Sequence, residues 1–361
     1  YKSVFFNADG TPVESEDSVN YRGTPDNVTK AGYIALLTAS NADLKDKSFI
    51  WNTWRKNHPV TNPGHENCTN QVDFSDLNFS ENKIQFVNFI FGEFANFSNT
   101  IFPEHVNFDS ARFGNGADFR NTQFGNRSKF RNATFEGFCD FTNAKFGSYL
   151  DFTDVSFGFY ASFNHVEIEK SARFNLKSSV HSLVFSSARI GSDVSFKGTL
   201  THCFFEDVTF LGRMEFSCEV SGKANFAGAQ FQGEANFNDS YFKGSTSFSQ
   251  SENQQTKFSI VPHFHGAKLH SDTSFEGAKF PKASGDEIAL RGYRTLKLAF
   301  SSHQATREEL LFFKREMEEE TLLAGKRAEK ENHHETLNGF RLPAYFFQVY
   351  EYLADYGFSV T

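Results

Sequence analysis

From Ala95 the chain repeats in units of eleven residues: ANFSNTIFPEH, VNFDSARFGNG, ADFRNTQFGNR, SKFRNATFEGF, CDFTNAKFGSY, LDFTDVSFGFY and ASFNHVEIEKS. In each unit the first and sixth places hold small or β-branched residues and the third and eighth hold Phe or Ile. The places between them hold Asn, Asp, Ser, Arg, Lys or Gly. Inward pairs thus recur at alternate steps of five and six, which excludes the i, i+3, i+4, i+7 stripe of an amphipathic helix. In extended chain a small residue and a large one two places later share a face, and the residue between them points the other way. The pattern weakens through ARFNLKSSVHS, LVFSSARIGSD and a shortened unit at Val194, recovers at Cys203 as CFFEDVTFLGR, and degenerates again at Met214. It returns as ANFAGAQFQGE, ANFNDSYFKGS, TSFSQSENQQT, PHFHGAKLHSD and TSFEGAKFPKA, ending near Ala283, and an early copy, VDFSDLNFSEN, begins at Val72.

Such a chain buries its phenylalanines only by coiling, so that each ring stacks on the ring one turn later and strands of successive turns pair ~4.8 Å apart. About eighteen units, two per turn, predict roughly nine coils and a rod of ~45 Å. The predicted stack is Phe97, Phe108, Phe119, Phe130, Phe141, Phe152, Phe163, Phe174, Phe226, Phe237, Phe248, Phe264 and Phe275. Gly114, Gly125, Gly147 and Gly158 each follow the second Phe of a unit. There they are expected to absorb the extra residue of the six-step with positive φ.

The ends read differently. Residues 1–70 lack the repeat, and Trp51 and Trp54 are expected to pack in a cap, since an open first coil would expose strand edges and aromatic surface. After Pro281 the pattern turns helical: Ser284-Gly285-Asp286-Glu287 and Thr306-Arg307-Glu308-Glu309 have capping-box spacing. The second leads into Leu310, Phe313 and Met317 at helical intervals, opposite a face of Arg315, Glu316, Glu319 and Glu320 that reads as solvated. Lys326 to His334 reads as a polar linker, and Pro343 to Gly357 is strongly aromatic. The segments predicted are therefore a cap region over 1–70, a β-helix over 71–283 and helices over 284–361.

Composition agrees: 47 Phe stand against 2 Met and 2 Trp, as one large side chain recurring at fixed places demands. A net charge of −8 argues against a phosphate-binding surface, so no nucleic-acid partner is expected. Cys68, Cys139, Cys203 and Cys218 form no CxxC pair and no zinc spacing with histidine, which fits a reducing, cytoplasmic setting. No run of eighteen apolar residues and no leader is present, so neither a membrane span nor a secretory signal is expected within these residues. The chain opens on Tyr1 instead of Met and stops just after the aromatic segment, and it is expected to be a piece of something longer. The sequons Asn78-Phe79-Ser80, Asn96-Phe97-Ser98 and Asn126-Arg127-Ser128 are read as products of an Asn- and Ser-rich repeat, not as glycosylation sites.

The chemistry-bearing residues form no recognisable centre. Asp140, Asp151 and Asp154 hold outward repeat places, and no phosphate loop or HExxH occurs. His263, His265 and His270 in PHFHGAKLH are the best metal candidates, but imidazoles without a nearby carboxylate or cysteine read as surface histidines. Cys139 and Cys203 sit in the small inward place and read as packing. No catalytic residue, metal or cofactor is expected.

The alternation in Ala117-Asp118-Phe119-Arg120-Asn121 resembles the pentapeptide-repeat family, and its five-plus-six form resembles the phenylalanine-centred branch. The resemblance spans the repeat region and implies an all-β solenoid, a right-handed, four-sided β-helix with the Phe and the small residue two before it inside. WNTWRKNHP ahead of VDFSDLNF resembles the Trp-Asn-x-Trp-Arg lead-in to many such arrays and implies an N-terminal cap. The aromatic segment, taken with Arg294-Thr295-Leu296-Lys297 and Phe312-Phe313-Lys314-Arg315-Glu316-Met317, resembles the linker that precedes paired transmembrane helices in membrane-anchored members of ion-channel type. A helix of this kind fits a membrane interface and equally a folded-back cap or a dimer contact.

The function expected is a non-enzymatic scaffold or sensing domain that binds an unidentified protein. It would sit in the cytoplasm, anchored to an inner membrane through segments after Thr361, and self-association is compatible with it. The alternative is a DNA mimic that occupies a topoisomerase, as the resemblance allows for some members.

Overall fold

The computed structural model describes residues 5–6, 12–13, 49–57, 59, 71–81, 84–301 and 306–332. They form a parallel-sheet β-solenoid flanked by a short helix α1 (Phe49–Asn57) and by two helices, α2 (Glu287–Ser301) and α3 (Thr306–Asn332). Gln123, Lys145 and Glu167 pair in parallel, each one coil above the last, so a regular coil takes 22 residues, or two units. One eight-stranded sheet runs from Ile101–Phe102 to Lys257–Phe258, and a fifteen-stranded sheet covers the remaining sides. Isolated bridges Asn78↔Ile101 and Lys257↔Lys279 extend the first ladder at both ends.

Two units per coil with two inward phenylalanines each give four columns of side chains. Phe97, Phe119, Phe141 and Phe163 stack face to face at 4.7–4.8 Å, and the same column carries Phe226, Phe248 and Phe275. Phe108, Phe130, Phe152 and Phe174 form a second column at 4.5–5.1 Å that continues to Phe237 and Phe264. Rings of the two columns meet edge to face, as at Phe130–Phe141 (5.9 Å, 90°), the arrangement that aromatic quadrupoles favour. The second Phe of each unit builds the other two columns, for instance Phe102–Phe124–Phe146 and Phe91–Phe113–Phe135.

The corners depart from expectation in an instructive way. Gly114, Gly125, Gly147 and Gly158 do not have positive φ; that conformation falls instead on the eleventh place of the unit, as in His105, Arg127 and Tyr149, and on the fifth, as in Asn99, Asn121, Asn132 and Asn143. There a turn closes through bonds such as Ala144 N–H to the Phe141 carbonyl (2.9 Å), and Asn tolerates the left-handed geometry that the third turn residue requires. The four glycines serve close approach. A Cβ on Gly125 would lie 2.5 Å from the Glu104 nitrogen in the coil below, and one on Gly158 would collide with the Glu136 carbonyl oxygen.

Irregular units show where the coil adapts. The short unit at Val194 cuts the coil to 20 residues between Arg189 and Thr209, the one at Met214 cuts the next to 21 between Thr209 and Gln230, and one strand, Val194–Phe204, runs straight through what is elsewhere a corner. TSFSQSENQQT is not a regular unit: Thr256 and Phe258, both buried, take its sixth and eighth places, so the coil from Gln230 to Lys257 grows to 27 residues. The inserted loop is tied to Asp207 by Ser251 Oγ and Asn253 Nδ2 at 2.5 and 2.6 Å.

Both ends of the stack are covered. Trp51 of α1 is fully buried against Phe74, Phe89 and Phe91 at 5.4–5.9 Å and donates its indole N–H to the Ile90 carbonyl at 2.7 Å. At the other end Phe300 and Phe312 close over Phe275, and Tyr293 and Phe312 close over Phe280. Here three expectations fail. Glu316 and Glu319 are buried, while Leu310, Phe313 and Met317 are only half-buried. The face of α3 that docks is Phe312–Glu316–Glu319, because it meets both apolar coil and the cationic and N-terminal parts of α2. The start of α2 is capped by Asp286, which accepts from Ile288 N–H at 3.2 Å, and by Glu319, not by a Ser284 box. Finally, α3 continues through Lys326 to Asn332, so most of the expected linker is helix. The aromatic segment 343–357, Cys68 and most of residues 1–70 lie outside the described residues.

Glu316 accepts from Arg294 Nε at 2.7 Å and pairs with Lys297 Nζ at 2.6 Å. Burial by itself raises its pKa, but the hydrogen bonds and charges of Lys297 and Arg294 outweigh burial and hold the carboxyl below the usual carboxylate range. Because the folded value is depressed, the stabilisation is complete above the unfolded pKa of about 4.3 and is lost as pH falls through the lower folded value. Melting of the helical signal at 222 nm is expected to shift to lower temperature below about pH 4. Glu316→Gln should flatten that dependence; identical acid profiles for the two proteins would contradict the assignment.

Candidate functional site

Outward residues distinguish one side of the rod from the others. On two sides they are charged and matched coil to coil: Gln123–Lys145–Glu167–Arg189 on one, Lys129–Asp151–Arg173–Ser195–Glu215 on another. On a third side the sequence up the rod is Asp118, Asp140, Ser162, Val184, Phe204, Asn225, Ser247, which is uncharged from Ser162 onward.

That side carries aromatic rings on its exterior. Phe138 and Phe159 are 49% and 48% exposed and lie 5.2 Å apart, inclined by 56°. Phe159 stacks on His181 at 4.5 Å, His181 meets His202 edge-on at 5.3 Å, and His202 lies 6.3 Å from Phe204. Tyr160, directly above Phe138 in the ladder, adds a phenol. The strip arises because the last places of the units ending at Phe138 and Tyr160 hold rings where the unit one coil earlier ends in Asn115-Gly116.

Short hydrogen-bonding groups flank the rings. Thr142 donates to Asp140 through both its amide and its hydroxyl, so Ser162 must donate to Thr142 across 2.9 Å. Burial first and the Asp140 charge second push the Tyr160 phenol above its ordinary value, against the effect of its hydrogen bonds with Ser162 and Asn164. It therefore stays a neutral hydroxyl at physiological pH. His202 Nδ1 accepts from Lys223 N–H at 2.9 Å, which leaves its proton on Nε2.

The remaining chemistry-bearing residues do not converge. Asp140 and Asp151 orient turns, each accepting from the residue two places on (Thr142, Thr153), and Asp154 holds a positive-φ turn place. His270 is 3.7 Å from Asp272, and among the described residues no group of three His, Cys, Asp or Glu is placed to hold a metal ion. Cys139, Cys203 and Cys218 are buried, and burial pushes all three thiols well above their ordinary value, so they are poor nucleophiles.

All thirteen phenylalanines of the predicted stack lie inside, in the two columns described above. The outer strip is what a reading of inward positions overlooks. Its signal is in the sequence, as Phe138, Phe159 and Tyr160 at unit ends where turn residues belong. Compared with known proteins, the chain matches no family model, no curated protein and no solved structure.

Proposed function

We propose that this chain is a non-enzymatic scaffold or sensing module of the pentapeptide-repeat kind, which binds a protein partner through its lateral faces and is the soluble part of a membrane-anchored protein. The observation that carries the reading is the closure of the rod. Each coil's backbone is bonded to its neighbours, and α1 and the α2–α3 pair cover the two ends of the ring stack. Among the described residues, what is left to act is side chains on rigid sides, and these present complementary charges and rings without a concave cluster of perturbed groups.

DNA mimicry fits the surface less well, because a mimic needs unneutralised acids. Here lateral acids are matched by bases, as in Arg131–Asp109, Lys197–Glu215, Arg213–Glu234 and Lys243–Glu219. The membrane part of the proposal rests on the resemblance of the C-terminal linker alone. None of the described helices is long and apolar enough to cross a membrane.

Fractionation of the untruncated gene product tests it: recovery from the membrane pellet only with detergent is expected. Full recovery in the soluble fraction would remove the anchor from the proposal and leave a free scaffold.

A further inference from the structure

The aromatic strip has a size and chemistry of its own. It spans the coils from Phe138 to Phe204, three steps of ~4.8 Å, on a side roughly 10 Å wide, an area on the order of 200 Å². A stable protein dimer needs about 800 Å² from each partner, so a second copy of this chain finds too little here. An extended peptide strand is a poor fit for another reason. Strand addition depends on free backbone donors and acceptors at a sheet edge, and the backbone of this side is spent on the ladders, as in Tyr160↔Phe138 and Ser182↔His202.

The strip offers ring surface, a hydroxyl and amide groups. Half of each of Phe138 and Phe159 is open, and beside them stand the half-buried Tyr160 hydroxyl, bonded to Ser162 and to the half-buried Asn164, and His202 with its proton on Nε2. From Ser162 upward the ladder that holds them carries no charge, whereas the ladders through Lys145 and Asp151 carry charges of both signs. An ionic ligand would gain nothing here over any other face. A ligand that is neutral, rich in hydroxyls and provided with apolar C–H faces gains both ring contact and short hydrogen bonds.

We infer that the strip from Phe138 to Phe204 is a binding site for a neutral oligosaccharide lying along the rod, with Phe138 and Phe159 as ring platforms and Tyr160, Asn164 and His202 as hydrogen-bonding positions. Each of the four coils carries a ring, Phe138, Phe159, His181 and His202 in turn, so a longer linear glycan meets more of them and affinity rises with chain length until the strip is filled. The site gives the sensing role a class of stimulus, and to that extent it rests on the proposed function; the chemistry of the strip stands without it.

The test is native electrophoresis of the 361-residue chain through gels containing hydroxyethylcellulose, glucomannan, laminarin or dextran, followed by calorimetric titration with hexaoses of the retarding type. Retardation by at least one is expected. The double substitution Phe138→Ser, Phe159→Ser should weaken binding about tenfold or more, whereas Tyr149→Ser, an exposed tyrosine away from the strip, should leave it unchanged. Imidazole NMR signals of His181 and His202 should shift on titration of the unmodified chain, a readout independent of how well the variant folds. No retardation in any gel, or retardation that the double variant keeps, overturns the inference. So does a dimer in sedimentation that the double variant dissociates. Loss of a protein partner in a glycan-silent chain would sink the glycan site and leave the scaffold reading standing.

Discussion

Phe141→Asp is expected to abolish cooperative melting of the coils, and Phe141→Ala to cost about 3–5 kcal/mol, the usual range for emptying a buried aromatic site. Phe141 is fully buried between Phe119 at 4.7 Å and Phe163 at 4.8 Å, with Phe130 and Phe152 against its edges at 5.9 and 5.8 Å. A carboxylate there has rings on every side and no partner, so the loss of ring contact is joined by the desolvation of a charge. Whole domains are stable by only about 5–15 kcal/mol, and in a solenoid each coil is held by its neighbours, so the break removes the interfaces above and below as well. The control is one residue away. Asp140→Ser loses a carboxylate that accepts from Thr142 N–H at 2.8 Å, yet serine fills the same role at Ser247 and Ser274, which accept from Ser249 and Glu276 N–H. Its cost should be about 1 kcal/mol or less. Thermal melts followed by circular dichroism would separate the two; similar shifts would mean that the inward and outward faces have been misassigned.

The contrast between those neighbours also shows how far the sequence could be read. Inward places carry a two-residue alternation that physics ties to one face of a strand, and they announced the solenoid, the ring columns and the 22-residue coil. Corner geometry was less legible because glycine has two uses. At Gly125 the reason is a backbone 2.5 Å from where a Cβ would stand, a relation between residues a coil apart that no local pattern displays. The left-handed conformation fell instead on Asn121 and its equivalents, whose side chains tolerate that region, and on eleventh places such as Arg127. The outer strip was hidden by its own composition: one more Phe in a chain of 47 draws no notice unless its place in the unit is asked first.

The helical end was misread for a different reason. Charge along a helix usually marks the solvated face, but that rule assumes an apolar docking surface. Here the surface includes the open N-terminus of α2, whose amides need acceptors, and the cations Arg294 and Lys297. A glutamate can be inside when what it meets is a row of N–H groups.

Glu319→Ala should therefore release the C-terminal pair from the rod. Glu319 is 1% exposed, and its carboxylate accepts from the backbone N–H groups of Ser284, Gly285 and Asp286, the shortest bond being 2.6 Å from Gly285. These are donors that a helix start cannot satisfy within itself, and the carboxylate also sits at the positive end of the α2 dipole. Alanine leaves three amides without this acceptor: the buried Gly285 N–H at a cost on the order of 1–3 kcal/mol, and those of the exposed Ser284 and Asp286 at less, since water reaches them. Glu319→Gln keeps one oxygen and turns an N–H pair toward donors, so it should fall between. Hydrogen exchange followed by mass spectrometry gives the readout: faster exchange over 287–332 with the coils around Phe119 to Phe248 unchanged. Once the helices lift, Phe275 and Phe280 lose the cover of Tyr293, Phe300 and Phe312, and the last coil becomes an open aromatic edge. Concentration-dependent association should then appear in the alanine variant and not in the parent, because an uncovered solenoid end offers both unpaired strand and apolar rings to another copy. Unchanged exchange in Glu319→Ala would show that the ring contacts alone hold the helices down, and that the buried carboxylate contributes little.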